Sequence, residues 1–239
     1  SMVRIGFTER GDAGLDFAWI NKTTSFDGMI LITKHLNYLF IEQAAKVNAI
    51  VHATITGHGS TVYEPRVPPF LISKQLFQKL IDKIGAERVV LRIDPIIPTD
   101  SGIAKAIYVY QELYENMGKK TRVRISFLDN YDHVKKRFIK AGLKPLDYFF
   151  HAPIDLREKI ASYFPDAEIC GEPGMECVGC VSEKDLKIYW IWMRAPMCLI
   201  GFSKKQSYFK KYLAHILRNI RSISKFSFLL IECHISRVT

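Results

Sequence analysis

The sequence Val89-Val90-Leu91-Arg92-Ile93-Asp94-Pro95-Ile96-Ile97-Pro98 is an apolar run with two opposite charges near its end. Alternate residues of a strand face the same side, so Arg92 and Asp94 share one face of a predicted strand at 89–94. We expect Pro95 to end the hydrogen-bond ladder because it has no N–H. A strand buried on both faces carries charges only where they are paired or bind a ligand. The run therefore predicts either a buried ion pair or the floor of an active site at the carboxyl end of a parallel strand.

Segments of strand and helix character alternate on both sides of this run. Apolar runs predict strands at 3–7, 29–33, 50–56, 89–94, 122–128 and 167–170. Amphipathic segments predict helices at 36–47, 71–84, 100–117, 131–141 and 154–164, with Ser73 and Asp100 or Ser101 as candidate N-caps. About six β–α repeats joined by short turns require parallel crossovers. The sequence therefore predicts an α/β fold, either a full or partial (β/α) TIM-like barrel with parallel strands or an open doubly wound sheet.

Polar side chains recur where the predicted strands end, which favours the barrel, since all strand ends of a barrel share one mouth. These residues are Glu9, Lys34, His58, Arg92, Asp94, Arg124, Asp129 and Glu172. On the strand at 50–56, alternation places His52, Thr54 and Thr56 on one face. We expect that polar face to line the same cavity. The predicted site therefore lies at the carboxyl ends of the strands.

The charge of the chain is uneven along its length. Its 239 residues carry a formal net charge of +10, and the eight Lys or Arg against the single acid Glu232 after residue 201 supply +7 of it. We therefore predict a barrel domain at 1–200 and a basic helix–strand extension packed on it at 201–239. A basic extension of this kind is either a solvated surface or a nucleic-acid contact. No apolar run is long enough for a membrane span and no signal peptide is evident, so a cytoplasmic protein is expected.

Four cysteines are spaced C-x6-C-x2-C-x17-C, and they are Cys170, Cys177, Cys180 and Cys198. Two thiols separated by two residues can bind one metal ion from a tight turn. The expected ligand is zinc or an iron–sulfur cluster, and the alternative is a set of ordinary thiols. A fifth cysteine, Cys233, lies near the C-terminus.

The chain resembles a family known as a domain of unknown function, DUF1848, which has ties to the radical S-adenosylmethionine enzymes. The matching segments occur in family order between about residues 3 and 198. They are residues 29–34, 54–57 with 64–65 and 68 after them, 92–96, 125–129 with 131, and 169–173 leading to 179–180. The resemblance implies a partial barrel with an iron–sulfur cluster held by closely spaced cysteines near the C-terminus.

The end of the chain departs from this family pattern. A cysteine-rich motif is expected after a segment like 194–198, yet the chain continues with a Lys/Ser/Phe-rich segment that holds only Cys233. Three alternatives remain open. The cluster is lost, or Cys170, Cys177, Cys180 and Cys198 build a different one, or the end of the chain has been replaced.

Three functions follow as hypotheses. The resemblance implies a radical S-adenosylmethionine enzyme of unknown substrate, in which a reduced cluster passes one electron to the cofactor. Its cofactor-binding residues would be Thr54, Thr56, Gly57, His58 and Gly59. Its catalytic or substrate-binding residues would be Arg92, Asp94, Arg124, Asp129 and Glu172. The second hypothesis is a non-redox hydrolase or lyase that uses Asp94 or Glu172 as base with His52 or His58 nearby. The third is a nucleic-acid-binding module that uses the basic extension.

Overall fold

The computed structural model describes residues 3–8, 11–193 and 197–201 of the chain. Its strands are β1 (Val3–Phe7), β2 (Gly28–Thr33), β3 (Ala49–Thr54), β4 (Val89–Ile96), β5 (Arg122–Phe127), β6 (Ala167–Ile169) and β7 (Met197–Gly201). Its α-helices are α1 (Tyr38–Ala45), α2 (Phe70–Ile84), α3 (Asp100–Tyr110), α4 (Asp132–Lys140), α5 (Ile154–Ala161) and α6 (Glu183–Met193). A π-helical turn, Gln111–Glu115, continues α3, and 3-10 helices occupy Phe17–Ser25 and Ala86–Arg88. The predicted alternation of strands and helices is confirmed.

The strands form one sheet in the order β6-β5-β4-β3-β2-β1-β7. Strands β1 to β6 therefore lie side by side in chain order, and β7 pairs in parallel with β1, with Val3 opposite Met197. In a doubly wound sheet the strand order reverses part-way along the chain, and β1 to β6 show no such reversal. The order is that of a (β/α) barrel. Among the described strands β6 does not pair with β7, so the sheet is not closed and the barrel is partial.

Strand β4 runs two residues beyond Asp94, to Ile96. The expectation that Pro95 ends the ladder was therefore wrong, because proline removes one donor but leaves the carbonyl acceptors of its neighbours in place. The carbonyl of Ile96 accepts a hydrogen bond from the N–H of Leu128 at 2.9 Å. This bond continues the contact between β4 and the end of β5.

Two helix starts differ from the predicted caps. The hydroxyl of Thr99 caps α3 by accepting from the N–H of Gly102 at 3.2 Å, so neither Asp100 nor Ser101 is the N-cap. Ser73 lies inside α2, where its hydroxyl donates to the carbonyl of Pro68 at 3.3 Å. Thr99 is the N-cap of α3 because its backbone is extended and its side chain reaches the first turn of the helix.

Contacts divide the chain into two compact units. The first contains the described parts of Ser1–Ala53, Leu76–Val90 and Gly179–Thr239. Its fully buried apolar side chains come from strands and helices alike, including Ile5, Ile30, Leu31, Phe40, Ile41, Val51, Phe77 and Leu80. In this unit α6 and β7 had not been predicted. The start of α6 nevertheless carries a capping-box signal, since the carboxylate of Asp185 accepts from the N–H of Ser182 at 2.8 Å.

The second unit contains Thr54–Gln75 and Leu91–Val178. Its core includes Ile93, Val109, Leu113, Ile125 and Ile160, all inaccessible to solvent. The rings of Tyr110 and Phe164 meet edge to face at 5.3 Å between centroids. The ends of β4, β5 and β6, which carry most of the predicted site residues, belong to this unit.

The predicted domain division and the predicted cytoplasmic location both remain predictions. Residues 202–239 lie outside the described part, so the division into a barrel at 1–200 and an extension at 201–239 is not tested. None of the described helices combines the length and the apolar character that crossing a bilayer requires.

Candidate active site

Arg92 and Asp94 form an ion pair with each other at the end of β4. Nη2 of Arg92 donates to Oδ2 of Asp94, and the hydroxyl of Ser126 on β5 donates to Oδ1 of the same carboxylate. The side chain of Arg92 is buried, whereas that of Asp94 is one quarter exposed. The N–H of Ile55 donates to the carbonyl of Arg92 at 2.8 Å, which brings the segment after β3 beside this pair. Two donors on one carboxylate hold Asp94 in a fixed orientation.

A second carboxylate, Asp129, lies just beyond the end of β5 and binds a histidine. Nδ1 of His151 is 2.7 Å from Oδ1 of Asp129, and both side chains are partly exposed, at 37% and 24%. Because an ionised carboxylate only accepts hydrogen bonds, Nδ1 carries the proton of this contact. Nε2 of His151 then remains as the basic atom of the ring.

The loop at 142–153 folds back on the end of β5 and so places His151. The side chain of Asn130 donates to the carbonyl of Tyr148 at 2.7 Å, and its N–H donates to the carbonyl of Phe150 at 2.8 Å. The hydroxyl of Tyr148 donates to the carbonyl of Leu128. Burial raises the pKa of Tyr148, and the charges of Asp129 and Glu172 raise it further. Tyr148 is therefore a neutral donor beside two carboxyl groups.

Glu172 follows β6 by three residues and is buried. Oε1 accepts from the N–H of Phe127 at 2.9 Å, and Oε2 is 3.1 Å from Nη1 of Arg157. Burial raises the pKa of Glu172, and the hydrogen bond from Phe127 lowers it. The charge of Asp129 also raises this pKa, whereas Arg157 lowers it. The net direction is upward, which favours the protonated acid.

Arg124 pairs with a carboxylate on the neighbouring strand. Its side chain is fully buried on β5, and Nη2 is 2.7 Å from Oε2 of Glu168 on the neighbouring strand β6. Arg124 lies three residues before the end of β5, whereas Ser126, on the same face, contacts Asp94. The structure thus makes Arg124 a cross-strand partner of Glu168.

The predicted cofactor loop after β3 is held largely by contacts with itself. Thr54 and Thr56 are buried, and the hydroxyl of Thr56 donates to Oε2 of Glu64 at 2.6 Å. The ring of His58 packs on that of Tyr63 with 4.9 Å between centroids. Thr54, Thr56 and His58 therefore face protein atoms in this structure.

The two glycines of this loop have packing reasons of their own. Gly57 has a φ of +83°, and a Cβ there would lie 2.7 Å from Lys105. A Cβ on Gly59 would lie 1.8 Å from the carbonyl oxygen of Pro68. The glycines are required for close packing, and their cofactor role stays a prediction.

His52 was expected near Asp94 or Glu172, but its partner is a residue of α6. Its Nε2 is 3.0 Å from Oδ1 of Asp185, and both side chains are fully buried in the first unit. The polar face of β3 thus includes a buried His–Asp hydrogen bond to α6. The histidine that contacts a predicted site residue is His151, which no sequence pattern had singled out. Its 22-residue separation from Asp129 gave no local signal.

The cysteines are described in part. Cys170, Cys177 and Cys180 are thiols, not disulfide partners, whereas the side chain of Cys198 on β7 lies outside the described atoms. Cys170 pairs with Val178 across a β-bridge, so the loop carrying Cys177 returns to the end of β6. Sγ of Cys170 is 3.7 Å from Nη2 of Arg92. The described residues contain no group of three or more His, Cys, Asp or Glu placed to hold a metal ion.

Together these contacts bring five charged or hydroxyl groups to the ends of three successive strands. β4 supplies Arg92 and Asp94, the chain after β5 supplies Asp129 and the chain after β6 supplies Glu172, while Ser126 bridges β4 and β5. Sequence reasoning named Arg92, Asp94, Asp129 and Glu172, and it missed His151, Tyr148 and Arg157. An oriented imidazole and a carboxyl whose pKa is raised are a candidate base and a candidate acid for proton transfer.

Comparisons with known proteins place the chain in a family. The family described as "Domain of unknown function (DUF1848)" matches residues 20–219. No curated protein gives a significant match. A similar solved structure is 3-keto-L-gulonate-6-phosphate decarboxylase from Vibrio cholerae O1 biovar El Tor, at 11% identity and a TM-score of 0.34, covering 92% of this chain and 97% of that one. So low a TM-score supports no argument. The family match spans most of the sequence, and the chain therefore belongs to the DUF1848 family.

Proposed function

We propose that the protein is an enzyme that transfers protons to and from a small polar substrate at the carboxyl ends of β4, β5 and β6. The observation that carries this proposal is the oriented pair Asp129–His151 beside Glu172, whose pKa is raised by burial and by the charge of Asp129. Two ionisable groups in such different surroundings can act as base and acid in one reaction. The corresponding reaction classes are hydrolysis and elimination.

His151 would act as the general base. Asp129 accepts the Nδ1–H and holds the imidazole in one tautomer, so Nε2 faces the reaction with a lone pair. Asp129 also stabilises the imidazolium that forms when Nε2 takes up a proton. The partial exposure of both side chains leaves room for a substrate to approach.

Glu172 would act as the general acid. Its raised pKa increases the fraction of the carboxyl that holds a proton near neutral pH. The N–H of Phe127 and the guanidinium of Arg157 bind its two oxygens and fix their position. A fixed acid needs no reorganisation when the proton moves.

Arg92, Asp94 and Ser126 would bind the substrate. Asp94 is the most exposed member of this cluster, and its carboxylate can accept hydrogen bonds from hydroxyl or amino groups. Arg92 and Ser126 each donate to one oxygen of this carboxylate and keep it oriented. These contacts favour a substrate with several polar groups.

The test is substrate consumption from a mixture of cell metabolites in D2O, followed by mass spectrometry. The wild-type protein should deplete at least one metabolite, with deuterium entering the product if a C–H bond is broken. His151→Gln and Glu172→Gln should each lower that rate by about 100-fold or more. His133→Gln, at an exposed position on α4, is the matched control and should keep the wild-type rate.

Two outcomes would contradict the proposal. In one, no metabolite is consumed by the wild-type protein. In the other, the His151 and His133 variants lose activity equally. An added metal chelator should leave the rate unchanged, which separates this chemistry from a cluster-dependent reaction.

The second candidate is radical S-adenosylmethionine chemistry, which the family resemblance implies. The observation in its favour is the return of the Cys177 loop to Cys170 across the β-bridge with Val178. Three or four thiolates must converge to hold an iron–sulfur cluster. The described residues do not supply such a set, and the ligand set Cys170, Cys177, Cys180 and Cys198 stays a proposal, with zinc as its alternative.

Anaerobic reconstitution with iron and sulfide tests this candidate. A brown chromophore, about equal iron and sulfide content and cleavage of S-adenosylmethionine would support it. Zinc alone after purification would favour a structural site. Protein without iron, without colour and without cleavage after reconstitution would remove it.

A further inference from the structure

The carboxylate of Asp12, in the first unit, receives four hydrogen bonds just after β1 and β2. Oδ1 accepts from the N–H of Gly14 at 2.9 Å and from the hydroxyl of Thr33. Oδ2 accepts from the N–H of Lys34 at 2.7 Å and lies 2.8 Å from Nδ1 of His35. Burial alone would raise the pKa of Asp12, but the bonds from His35, Thr33 and the two backbone N–H groups lower it below its ordinary value. Asp12 is therefore an ionised acceptor.

The main chain around His35 is fixed from several sides. Its N–H donates to the hydroxyl of Thr33 at 2.8 Å, and its carbonyl accepts from the side chain of Asn37 at 2.9 Å. A Cβ on Gly14 would lie only 2.3 Å from the carbonyl oxygen of His35, so Gly14 lets the two segments touch. The position of the imidazole is thus set by the backbone before any ligand binds.

The imidazole itself is not needed to close this turn. Gly14, Thr33 and Lys34 already give Asp12 three donors from the two segments that it joins. The fourth donor, Nδ1 of His35, adds an Asp–His pair whose side chains are 19% and 17% exposed. When Nδ1 of His35 donates its proton to Asp12, Nε2 carries a lone pair that can accept a hydrogen bond from a ligand.

We propose that Asp12 and His35 form a ligand-binding site, with Nε2 of His35 accepting a hydrogen bond from a hydroxyl group of the ligand. Nδ1 keeps its proton on Asp12, which orients the ring and leaves Nε2 as the acceptor. The ligand class is therefore a hydroxyl-bearing molecule. Thr33 and Gly14 are positioning residues, since they hold Asp12 and the backbone of His35. The inference does not rest on the function proposed above.

Acylation by diethyl pyrocarbonate, resolved by mass spectrometry, tests the basicity and accessibility of Nε2 in the intact protein. At about pH 8, above the ordinary histidine pKa of about 6.5, imidazole nucleophilicity decides the rate. His35 should react about tenfold faster than His133, although His133 is the more exposed, because its Nδ1 has a charge-assisted hydrogen bond. Asp12→Asn should lower the His35 rate to that of His133 or below.

His52, which is fully buried, serves as the internal control for folding. If Asp12→Asn exposes His52 to the reagent, the variant has unfolded. The test then rests on the rates of His35 and His133 in the wild-type protein. Slower acylation of His35 than of His133 in the wild-type protein would overturn the proposal. An unchanged His35 rate in a folded Asp12→Asn variant would also overturn it. Long-range nitrogen–proton NMR gives a separate readout, and the proton of neutral His35 should be on Nδ1.

Discussion

At the scale of single residues, two partly buried carboxylates have pKa values shifted in opposite directions. Asp12 has four hydrogen-bond donors, and together they outweigh the effect of burial and lower its pKa. Glu172 has fewer donors, so burial dominates and its pKa rises. The number of donors that the local backbone supplies decides which effect wins. The two residues should therefore give the protein opposite dependences of stability on pH.

Asp12→Asn should lower the free energy of unfolding by about 1–3 kcal/mol at pH 7, because charge-assisted bonds are lost. The pKa of Asp12 is lower in the folded state than its ordinary 3.8, so its stabilisation is complete above 3.8 and is lost as the pH falls through the folded value. The deficit of the variant should therefore shrink in acid. Urea denaturation at several pH values measures it. Asp16→Asn, which removes one exposed acceptor, should cost less.

Glu172→Gln should show the reverse trend. Above its ordinary pKa of 4.5, the folded protein still holds a proton that the unfolded chain has released. The stability of the wild-type protein relative to the variant should therefore fall as the pH rises from 4.5 through the raised folded pKa. The same denaturation series detects this slope. The exposed Glu176→Gln is the control, and a flat difference for Glu172→Gln would contradict the expectation.

At the scale of elements, one tyrosine joins α6 to β2 and to the start of β3. Tyr189 is fully buried. Its hydroxyl can donate to the carbonyl of Met29 at 2.6 Å or to that of Asn48 at 2.8 Å, and it accepts a hydrogen bond from the N–H of Ile50 at 3.2 Å. Its ring lies so close to Gly28 that a Cβ there would be 2.4 Å away. Helix α6 therefore packs against backbone that only a glycine leaves open.

Tyr189→Phe should lower the free energy of unfolding by about 1–3 kcal/mol, because it removes the hydroxyl that bonds three backbone groups of β2 and β3. Urea denaturation at neutral pH is the measurement. Tyr163→Phe removes a hydroxyl from an exposed ring and should change the free energy by less than about 0.5 kcal/mol. Equal losses in the two variants would show that the Tyr189 contacts contribute nothing specific.

At the scale of the whole molecule, the strand order places β7 beside β1. β7 covers the outer edge of β1 over five paired positions, from Val3–Met197 to Phe7–Gly201. An uncovered edge strand exposes a row of unpaired backbone groups to other chains. β7 therefore protects β1 although it is the last described strand in the sequence.

A chain that stops after Met193 should be less stable and should aggregate more than one that stops after Gly201. The two truncations share the absence of residues 202–239, so their difference reports on residues 194–201, which include β7. Thermal unfolding monitored by circular dichroism, together with light scattering, measures both effects. Identical midpoints and scattering in the two chains would show that pairing with β1 is dispensable.

The sequence by itself determined the local elements of this protein. Apolar runs located β1 to β6 within a few residues, and the glycines that end α2, the α3 extension and α4 adopt positive φ values at Gly85, Gly118 and Gly142. These features depend on side-chain burial and on backbone freedom at single positions, and both can be read from neighbouring residues. The same reasoning named Arg92, Asp94, Asp129 and Glu172 at strand ends.

The tertiary structure alone decided which of these groups meet. Arg124 is bound by Glu168 because of the register of β5 and β6, and His151 reaches Asp129 because the loop at 142–153 folds back on β5. Asp12 meets His35 across 23 residues in the same way. Such contacts depend on strand register and loop path, which arise from packing of the whole chain and leave no local pattern.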